Sequence, residues 1–142
     1  FTYFQQMTGI ECKPVPVELT YGLERICMFI QGKKNVYDID WNGDGVKYRD
    51  VFYRSEKEFS AYNFEFADTN ILFTNFENLE KECKSLLEKK LALPAYDQCL
   101  KASHIFNLLD ARGVIGVAER ANYIDRIRDL AKGSGKLWLE SQ

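Results

Sequence analysis

The sequence is poor in the residues from which most metal centres and nucleophilic sites are built. It contains one histidine, His104, in the middle of a predicted helix. Its four cysteines include no C-x-x-C pair. A lone histidine in a helix is typical of a packed or surface side chain, not of a zinc ligand or a general base. We therefore expect no metal centre and no catalytic base at His104.

Long apolar runs and an excess of positive charge are also missing. No run approaches the length of a bilayer span, no charged-then-apolar leader opens the chain, and the net charge is −2. These features exclude a membrane-spanning helix and an overall basic field for nucleic acid. The motifs G-x-S-x-G, G-x-G-x-x-G, H-E-x-x-H and the P-loop are absent. Cys27 and Cys83 fall on apolar helix faces, as expected for the reduced core thiols of a cytoplasmic protein.

The sequence has the length and composition of one soluble domain with a core. It has 142 residues, of which 46% are hydrophobic and 28% charged. It begins Phe1-Thr2-Tyr3-Phe4, without an initiator methionine, so we expect it to be part of a longer protein.

The first 31 residues have the pattern of two strands followed by a helix. Residues 1–8 and 15–20 are β-prone, with a turn from Gly9 to Pro14 between them, and antiparallel pairing is expected. Residues 22–31 have helical periodicity and end at Gly32, a predicted C-cap.

Residues 36–51 are predicted to form a hairpin around an Asn-Gly/Asp-Gly turn. Asp40, Asn42, Asp44 and Gly45 also imitate the first half of an EF-hand calcium loop. The twelfth position of such a loop needs a bidentate glutamate, but here it holds Val51. The turn is therefore the favoured interpretation.

From about residue 52 the pattern is helical. We expect an α+β fold, with residues 1–51 as one part and residues 52–142 as a helical region. The expected helix signals are, in order, a capping box at Ser55 and Glu58, an N-cap at Asp68, Pro94 opening the next helix, Gly113 ending it, Gly116 and Glu119 opening the last helix, and Gly133-Ser134-Gly135 interrupting it.

The last helix and Arg112, which precedes it, carry several cations, and two interpretations of them stay open. One is ordinary surface charges balanced by Glu119, Asp125 and Asp129, and the other is a contact for a binding partner. The cations are Arg112, Arg120, Arg126, Arg128 and Lys132.

The junction at residues 18–25 has the chemistry of a nucleotide site, although an ordinary strand–helix unit has the same spacing. Gly22 has no side chain, so a flat ring can approach its backbone. Arg25 can stack on a purine or pair with a phosphate. Glu18 can receive an ammonium group or help to hold Mg²⁺. Glu24 can orient Arg25 or pair with a neighbour in the core.

A family resemblance rests on the string T-Y-G-L-E-R-I at this junction. It resembles motif 3 of a class II aminoacyl-tRNA synthetase, and the alanyl enzyme has a similar G-L-E-R-I. The wider match is to the α subunit of the bacterial heterotetrameric glycyl-tRNA synthetase, and it spans essentially the whole chain. It is carried by FTYFQQMTGIECKPVPVELTYGLERICMFIQGKKNVYDIDW, YNFEFAD, LALPAYDQCLKASHIFNLLDARG and ERANYIDRIRDLAK.

The resemblance implies the last antiparallel strands and the motif 3 helix of a class II catalytic core, followed by a helical C-terminal region. It implies that Gly22, Glu24 and Arg25 bind ATP, with Arg25 taking part in catalysis. Glu18 is implied to bind the glycine amine and Thr20 to line the amino-acid pocket. Gln5 and Gln6 are further amino-acid-binding candidates.

The implied enzyme is a glycine–tRNA ligase that uses ATP with Mg²⁺. Its implied partners are a β subunit, a second α subunit and tRNA-Gly, in the cytoplasm. Under the resemblance, the cations between Arg112 and Lys132 are an implied contact for tRNA or the β subunit. Motifs 1 and 2 of the family are not in this sequence, so these residues alone are expected to be inactive. The alternative is a non-catalytic helical module that binds another protein. Only the resemblance selects glycine over alanine, since both need a small pocket.

Overall fold

The computed structural model describes residues 1–7 and 9–142 and has the expected α+β fold. Thr8, in the predicted first strand, lies outside the described residues. The strands are β1 (Thr2–Tyr3), β2 (Gln6–Met7), β3 (Ile10–Glu11) and β4 (Val17–Glu18). The α-helices are α1 (Leu23–Ile30), α2 (Tyr48–Ala61), α3 (Thr69–Glu88), α4 (Ala92–Ala111) and α5 (Val117–Glu140). A 3₁₀ turn covers Val36–Asp38, and a π-helical turn, Tyr62–Phe66, continues α2.

The strands form two separate antiparallel pairs. β1 pairs with β4, with Thr2 opposite Glu18, which confirms the predicted pairing. The prediction of one continuous strand over residues 1–8 was wrong, because β2 pairs with β3 and not with β4. The predicted turn 9–14 therefore contains a strand. Gly9, with φ of +80°, lets the chain reverse there, a conformation that side chains with a Cβ avoid.

Helix α1 has the predicted position and the predicted C-cap. Gly32 has φ of +61°. Its amide donates to Phe29 O at 3.2 Å, and the Lys33 amide donates to Met28 O at 2.8 Å. These bonds satisfy carbonyl groups that the end of the helix leaves unpaired.

The long hairpin predicted for residues 36–51 is wrong. Only Asp40 and Lys47 form a bridge, and the chain is already helical from Tyr48. The Asp50 carboxylate accepts a hydrogen bond from the Lys47 amide at 2.8 Å, which starts α2 there. The helix runs across residues 51–52, where the sequence suggested a division, and that division into domains stays a prediction.

The turn expected between the two halves of that hairpin is present. Asp40 Oδ1 accepts from the Gly43 amide at 2.7 Å. Asn42 Oδ1 accepts from the amides of Asp44 and Val46 at 3.0 and 3.2 Å. The side-chain oxygens of Asp40 and Asn42, two of the positions that imitate calcium ligands, are thus hydrogen-bonded to the backbone of their own loop, as in Asx turns.

Helices α3, α4 and α5 pack together and hold most of the core. Its largest fully buried side chains are Phe76, Leu109, Leu130 and Cys83. All four cysteines are free thiols, as expected, and burial raises the pKa of Cys83 and Cys99.

The expected helix signals were correct at some positions and wrong at others. Asp68 caps α3 by accepting from the Asn70 amide at 2.8 Å. Gly113 follows α4 with φ of +67°, and Gly116 precedes α5. The capping box at Ser55 is wrong because that residue lies inside α2.

The predicted interruption at Gly133-Ser134-Gly135 is also wrong, since α5 continues to Glu140. Ser134 is buried and donates to Leu130 O at 2.9 Å. A Cβ at Gly133 would lie only 2.9 Å from Leu87 Cδ1. The glycine therefore allows α5 to approach α3, and this packing outweighs its low helix propensity.

A partly buried ion pair joins α3 to α5. Arg126 donates to both oxygens of Glu80, at 3.1 and 2.5 Å, and Lys84 lies 3.0 Å from the same carboxylate. The Arg126 guanidinium also lies 4.6 Å from the ring centre of Phe76. The hydrogen bonds from Arg126 lower the pKa of Glu80 to about 2, although burial acts in the opposite direction.

We predict that Glu80→Gln destabilises the chain at pH 7 by about 1.5–3 kcal/mol, the usual range for a hydrogen bond to a charged group. The unfolded carboxyl has its ordinary pKa, near 4.5, and the folded one about 2. The contribution is therefore complete above the unfolded pKa and is lost as the pH falls towards 2. Urea unfolding at several pH values measures this contribution to the free energy of unfolding.

The matched control is Glu82→Gln on the same helix. Glu82 is exposed and forms no ion pair with the residues that the structure describes. Its replacement should change the free energy of unfolding by less than about 0.5 kcal/mol. Equal effects of the two variants, or a Glu80→Gln deficit that persists unchanged at pH 2, would contradict the assignment.

Candidate functional site

The candidate site is the turn from β4 into α1. Glu18 is the last residue of β4, Gly22 directly precedes α1, and Glu24 and Arg25 lie in the first helical turn. All of these residues and Thr20 are exposed. The predicted residues of the junction are therefore all accessible to a ligand.

Glu18 and Thr20 are in direct contact. The Thr20 hydroxyl donates to Glu18 Oε1 at 2.6 Å. Glu18 Oε2 accepts no hydrogen bond from residues 1–7 or 9–142. One oxygen of this carboxylate is thus held by the protein, and the other is available to a cationic group.

Gly22 gives the turn its shape. Its φ is +69°, in the region that favours glycine, and apart from its two chain neighbours no described residue has a heavy atom within 4 Å of the place where a Cβ would be. The open space on this side of the backbone is the feature that the approach of a flat ring requires.

Arg25 and Glu24 form no hydrogen bond or ion pair with each other, and Arg25 forms no ion pair with any described residue. Glu24 lies near Tyr48 of α2. Partial burial, and to a smaller degree the Glu24 charge, raises the pKa of the Tyr48 phenol. This position favours a contact of Glu24 with a neighbouring side chain, and the orientation of Arg25 by Glu24 stays a prediction.

The two glutamines lie away from the carboxylate. Gln6 is in β2, which belongs to the other strand pair, opposite Glu11. The Gln5 carbonyl accepts from the Cys12 amide at 2.8 Å. Within the described part of the chain, neither side chain has a hydrogen bond to Glu18 or Thr20.

Gln31 has a positioning role that sequence reasoning missed. Its amide group binds the backbone of Asp40 twice: Nε2 donates to the Asp40 carbonyl at 3.0 Å, and Oε1 accepts from its amide at 2.8 Å. The C-terminal end of α1 is thereby attached to the loop before α2. The partner is backbone nine residues away, so no residue pattern signals it.

An aromatic cluster continues from that loop into α2. The ring centres of Trp41 and Phe52 are 5.1 Å apart, and those of Tyr48 and Phe52 are 4.6 Å apart. The Tyr37 hydroxyl binds Glu56 of α2. The loop that receives Gln31 is therefore itself packed on α2.

The cations at and before α5 are engaged within the chain in most cases, which favours the structural interpretation. Arg126 connects α5 to α3, and two further arginines also connect separate parts of the chain. Arg112 donates to Ala67 O at 2.9 Å, and Arg120 binds Asp110 at 3.1 Å. Arg128 lies 3.6 Å from Asp125.

The described residues form neither a cluster of metal ligands nor a membrane-spanning helix. His104 is exposed, which fits a surface side chain. No group of three or more histidine, cysteine, aspartate or glutamate side chains in this part of the chain could hold a metal ion. No helix within it is long and apolar enough to cross a membrane.

A comparison with protein families gives a match over the whole chain. The family model described as glycyl-tRNA synthetase alpha subunit matches residues 1–142, which is every residue of the sequence. The match therefore includes the strand–helix turn and the helical region together.

We predict that Gln31→Ala accelerates hydrogen exchange of the Asp40 amide by roughly five- to tenfold. The variant removes its acceptor, and one hydrogen bond contributes about 1 kcal/mol. Amide exchange followed by NMR measures the effect. The Lys33 amide, bonded to Met28 O, should not change. Equal acceleration at both amides would instead indicate fraying of α1 and would contradict the proposed attachment of α1 to Asp40 by the Gln31 side chain.

Proposed function

This chain belongs to the glycyl-tRNA synthetase alpha subunit family, and we propose that it supplies part of the adenylate-forming site of a glycine–tRNA ligase. One observation supports this most strongly. Glu18 and Arg25, of opposite charge, flank an open glycine turn, and neither forms an ion pair with another described residue. The substrates carry the complementary charges: an ammonium group on glycine and phosphates on ATP.

The proposed reaction has two steps. The carboxylate of glycine attacks the α-phosphate of ATP, which gives glycyl-adenylate and releases pyrophosphate. The 3′-terminal ribose hydroxyl of tRNA-Gly then attacks the glycyl carbonyl and releases AMP. The protein forms no covalent bond, so rate enhancement comes from positioning and from charge stabilisation.

Each residue of the turn has a proposed task. Arg25 binds a phosphate or stacks on the adenine, because a guanidinium is suited to both. Gly22 leaves room for the adenine ring. Glu18 receives the ammonium group of glycine. Glu24, near Tyr48, and the two glutamines, Gln5 and Gln6, stay as weaker candidates for ATP and glycine respectively.

Magnesium does not fit a site made by these residues alone, since no three metal-ligating side chains of the described residues converge. Mg²⁺ commonly binds through substrate phosphates and one or two carboxylates. We propose that Mg²⁺ arrives bound to the phosphates of ATP.

We propose a β subunit, a second α subunit and tRNA-Gly as partners, in the cytoplasm. Support comes from the apolar surface of β4 and α1. Leu23, Phe29 and Ile30 of α1 are 75%, 88% and 74% exposed, and Val17 and Leu19 are also exposed. Contiguous exposed apolar side chains usually mark surfaces that other protein covers.

We predict that Arg25→Ala, in the complete α subunit with its β subunit, lowers glycine-dependent pyrophosphate exchange at least about a hundredfold, the usual scale for loss of one charge-stabilising donor. Arg54→Ala is the matched control. Arg54 is an exposed arginine of α2 whose ion-pair partner among the described residues is Glu58 on the same helix, and its replacement should leave the rate unchanged. Near-normal exchange by Arg25→Ala would contradict the role of Arg25.

We also predict that the 142 residues alone show no glycine-dependent pyrophosphate exchange. The arginine of motif 2, which class II enzymes place on the α-phosphate, is not among them. The complete α and β subunits, assayed in parallel, should be active. Clear turnover by the 142 residues would contradict this prediction. If the 142 residues capture the β subunit while Arg25→Ala keeps full exchange in the complete enzyme, the alternative of a non-catalytic interaction module is correct.

A further inference from the structure

We propose that Thr20 is a positioning residue for glycine and acts through Glu18, by fixing the orientation of its carboxylate. The inference rests on the proposed function, in which Glu18 receives the ammonium group. It adds a distinct role for Thr20, which the resemblance implied only as part of the pocket lining.

The geometry that carries the inference is local. Thr20 Oγ1 lies 2.6 Å from Glu18 Oε1, a short distance typical of a hydroxyl donating to a charged carboxylate. The two residues are separated by one position in an extended segment, so their side chains project from the same side of the chain. The hydroxyl proton is used in this bond and is not available to donate to a substrate.

Glu18 has no other restraint among the described residues. It is exposed at the end of a two-residue strand, and the Thr20 hydroxyl is its hydrogen-bond partner there. A glutamate side chain with several rotatable bonds loses conformational entropy when it is ordered. If Thr20 orders the carboxylate before glycine arrives, less of that loss falls on substrate binding.

The consequence is a division of work between the two carboxylate oxygens. Thr20 holds Oε1, which leaves Oε2 directed at the ammonium group. Removal of the hydroxyl should therefore weaken glycine binding. It should leave ATP binding unaffected, since Arg25 and Gly22, the proposed ATP-binding residues, take no part in the hydrogen bond between Thr20 and Glu18.

The test uses the complete enzyme of α and β subunits and measures pyrophosphate exchange as a function of glycine and of ATP. Thr20→Val keeps the shape but removes the hydroxyl, and it should raise KM for glycine about tenfold, the effect of one such bond. KM for ATP and kcat should stay within about twofold. Thr20→Ser restores the hydroxyl and should return KM for glycine to near the wild-type value. An unchanged KM for glycine in Thr20→Val, or no rescue by Thr20→Ser, would overturn the proposal.

A double-mutant cycle separates an indirect role from direct contact with glycine. In a Glu18→Ala background, Thr20→Val should raise KM no further, because the carboxylate that it positions is gone. A further tenfold rise would show that Thr20 acts on glycine itself and would overturn the positioning role. If Glu18→Ala alone leaves KM for glycine unchanged, the proposed role of Glu18 fails, and this inference fails with it. If Glu18→Ala raises KM but Thr20→Val does not, only this inference fails.

Discussion

The contact of Arg126 with Glu80 and Phe76 fixes α5 against α3, two of the three long helices that hold the core. Phe76 is fully buried, the Arg126 guanidinium lies over its ring, and the two nitrogens of Arg126 bind both Glu80 oxygens. A partly buried ion pair of this kind stabilises one arrangement because either charge alone would lose water without compensation. With α5 fixed in this way, Gly135 faces the β2–β3 hairpin: a Cβ there would lie 3.8 Å from Ile10 Cδ1.

The candidate turn is connected to this framework at two points. The hairpin that packs on α5 is continuous with β1, whose Thr2 pairs with Glu18. At the C-terminal end of α1, Gln31 binds the backbone of Asp40, and the aromatic cluster holds that loop on α2. The turn itself is open, with Gly22 in a left-handed conformation. A supported but uncovered turn with separate charges suits a site that binds two substrates side by side.

The sequence predicted the features that local chemistry decides. Asp68 caps α3 because its carboxylate reaches amides two and three residues later, and Gly32 ends α1 because it tolerates a positive φ. It failed where distant residues decide. The glycines at 133 and 135 stay helical because Leu87 and Ile10 pack against them, and neither neighbour is visible in the local pattern. For the site, the position of the turn came from the residues, but the roles came from the resemblance. The hydrogen bonds from Thr20 to Glu18 and from Gln31 to the backbone of Asp40 are visible only in the structure.

We propose that residues 18–25 hold glycine and ATP together, and a structure of the assembled α and β subunits with a non-hydrolysable glycyl-adenylate analogue would show whether they do. We expect the adenine against Gly22, the analogue within contact of Arg25, and its ammonium group within hydrogen-bond distance of Glu18 Oε2, with Thr20 still bound to Oε1. An analogue bound with its ammonium group away from Glu18 and its adenylate away from Arg25 would show that this turn does not hold the two substrates.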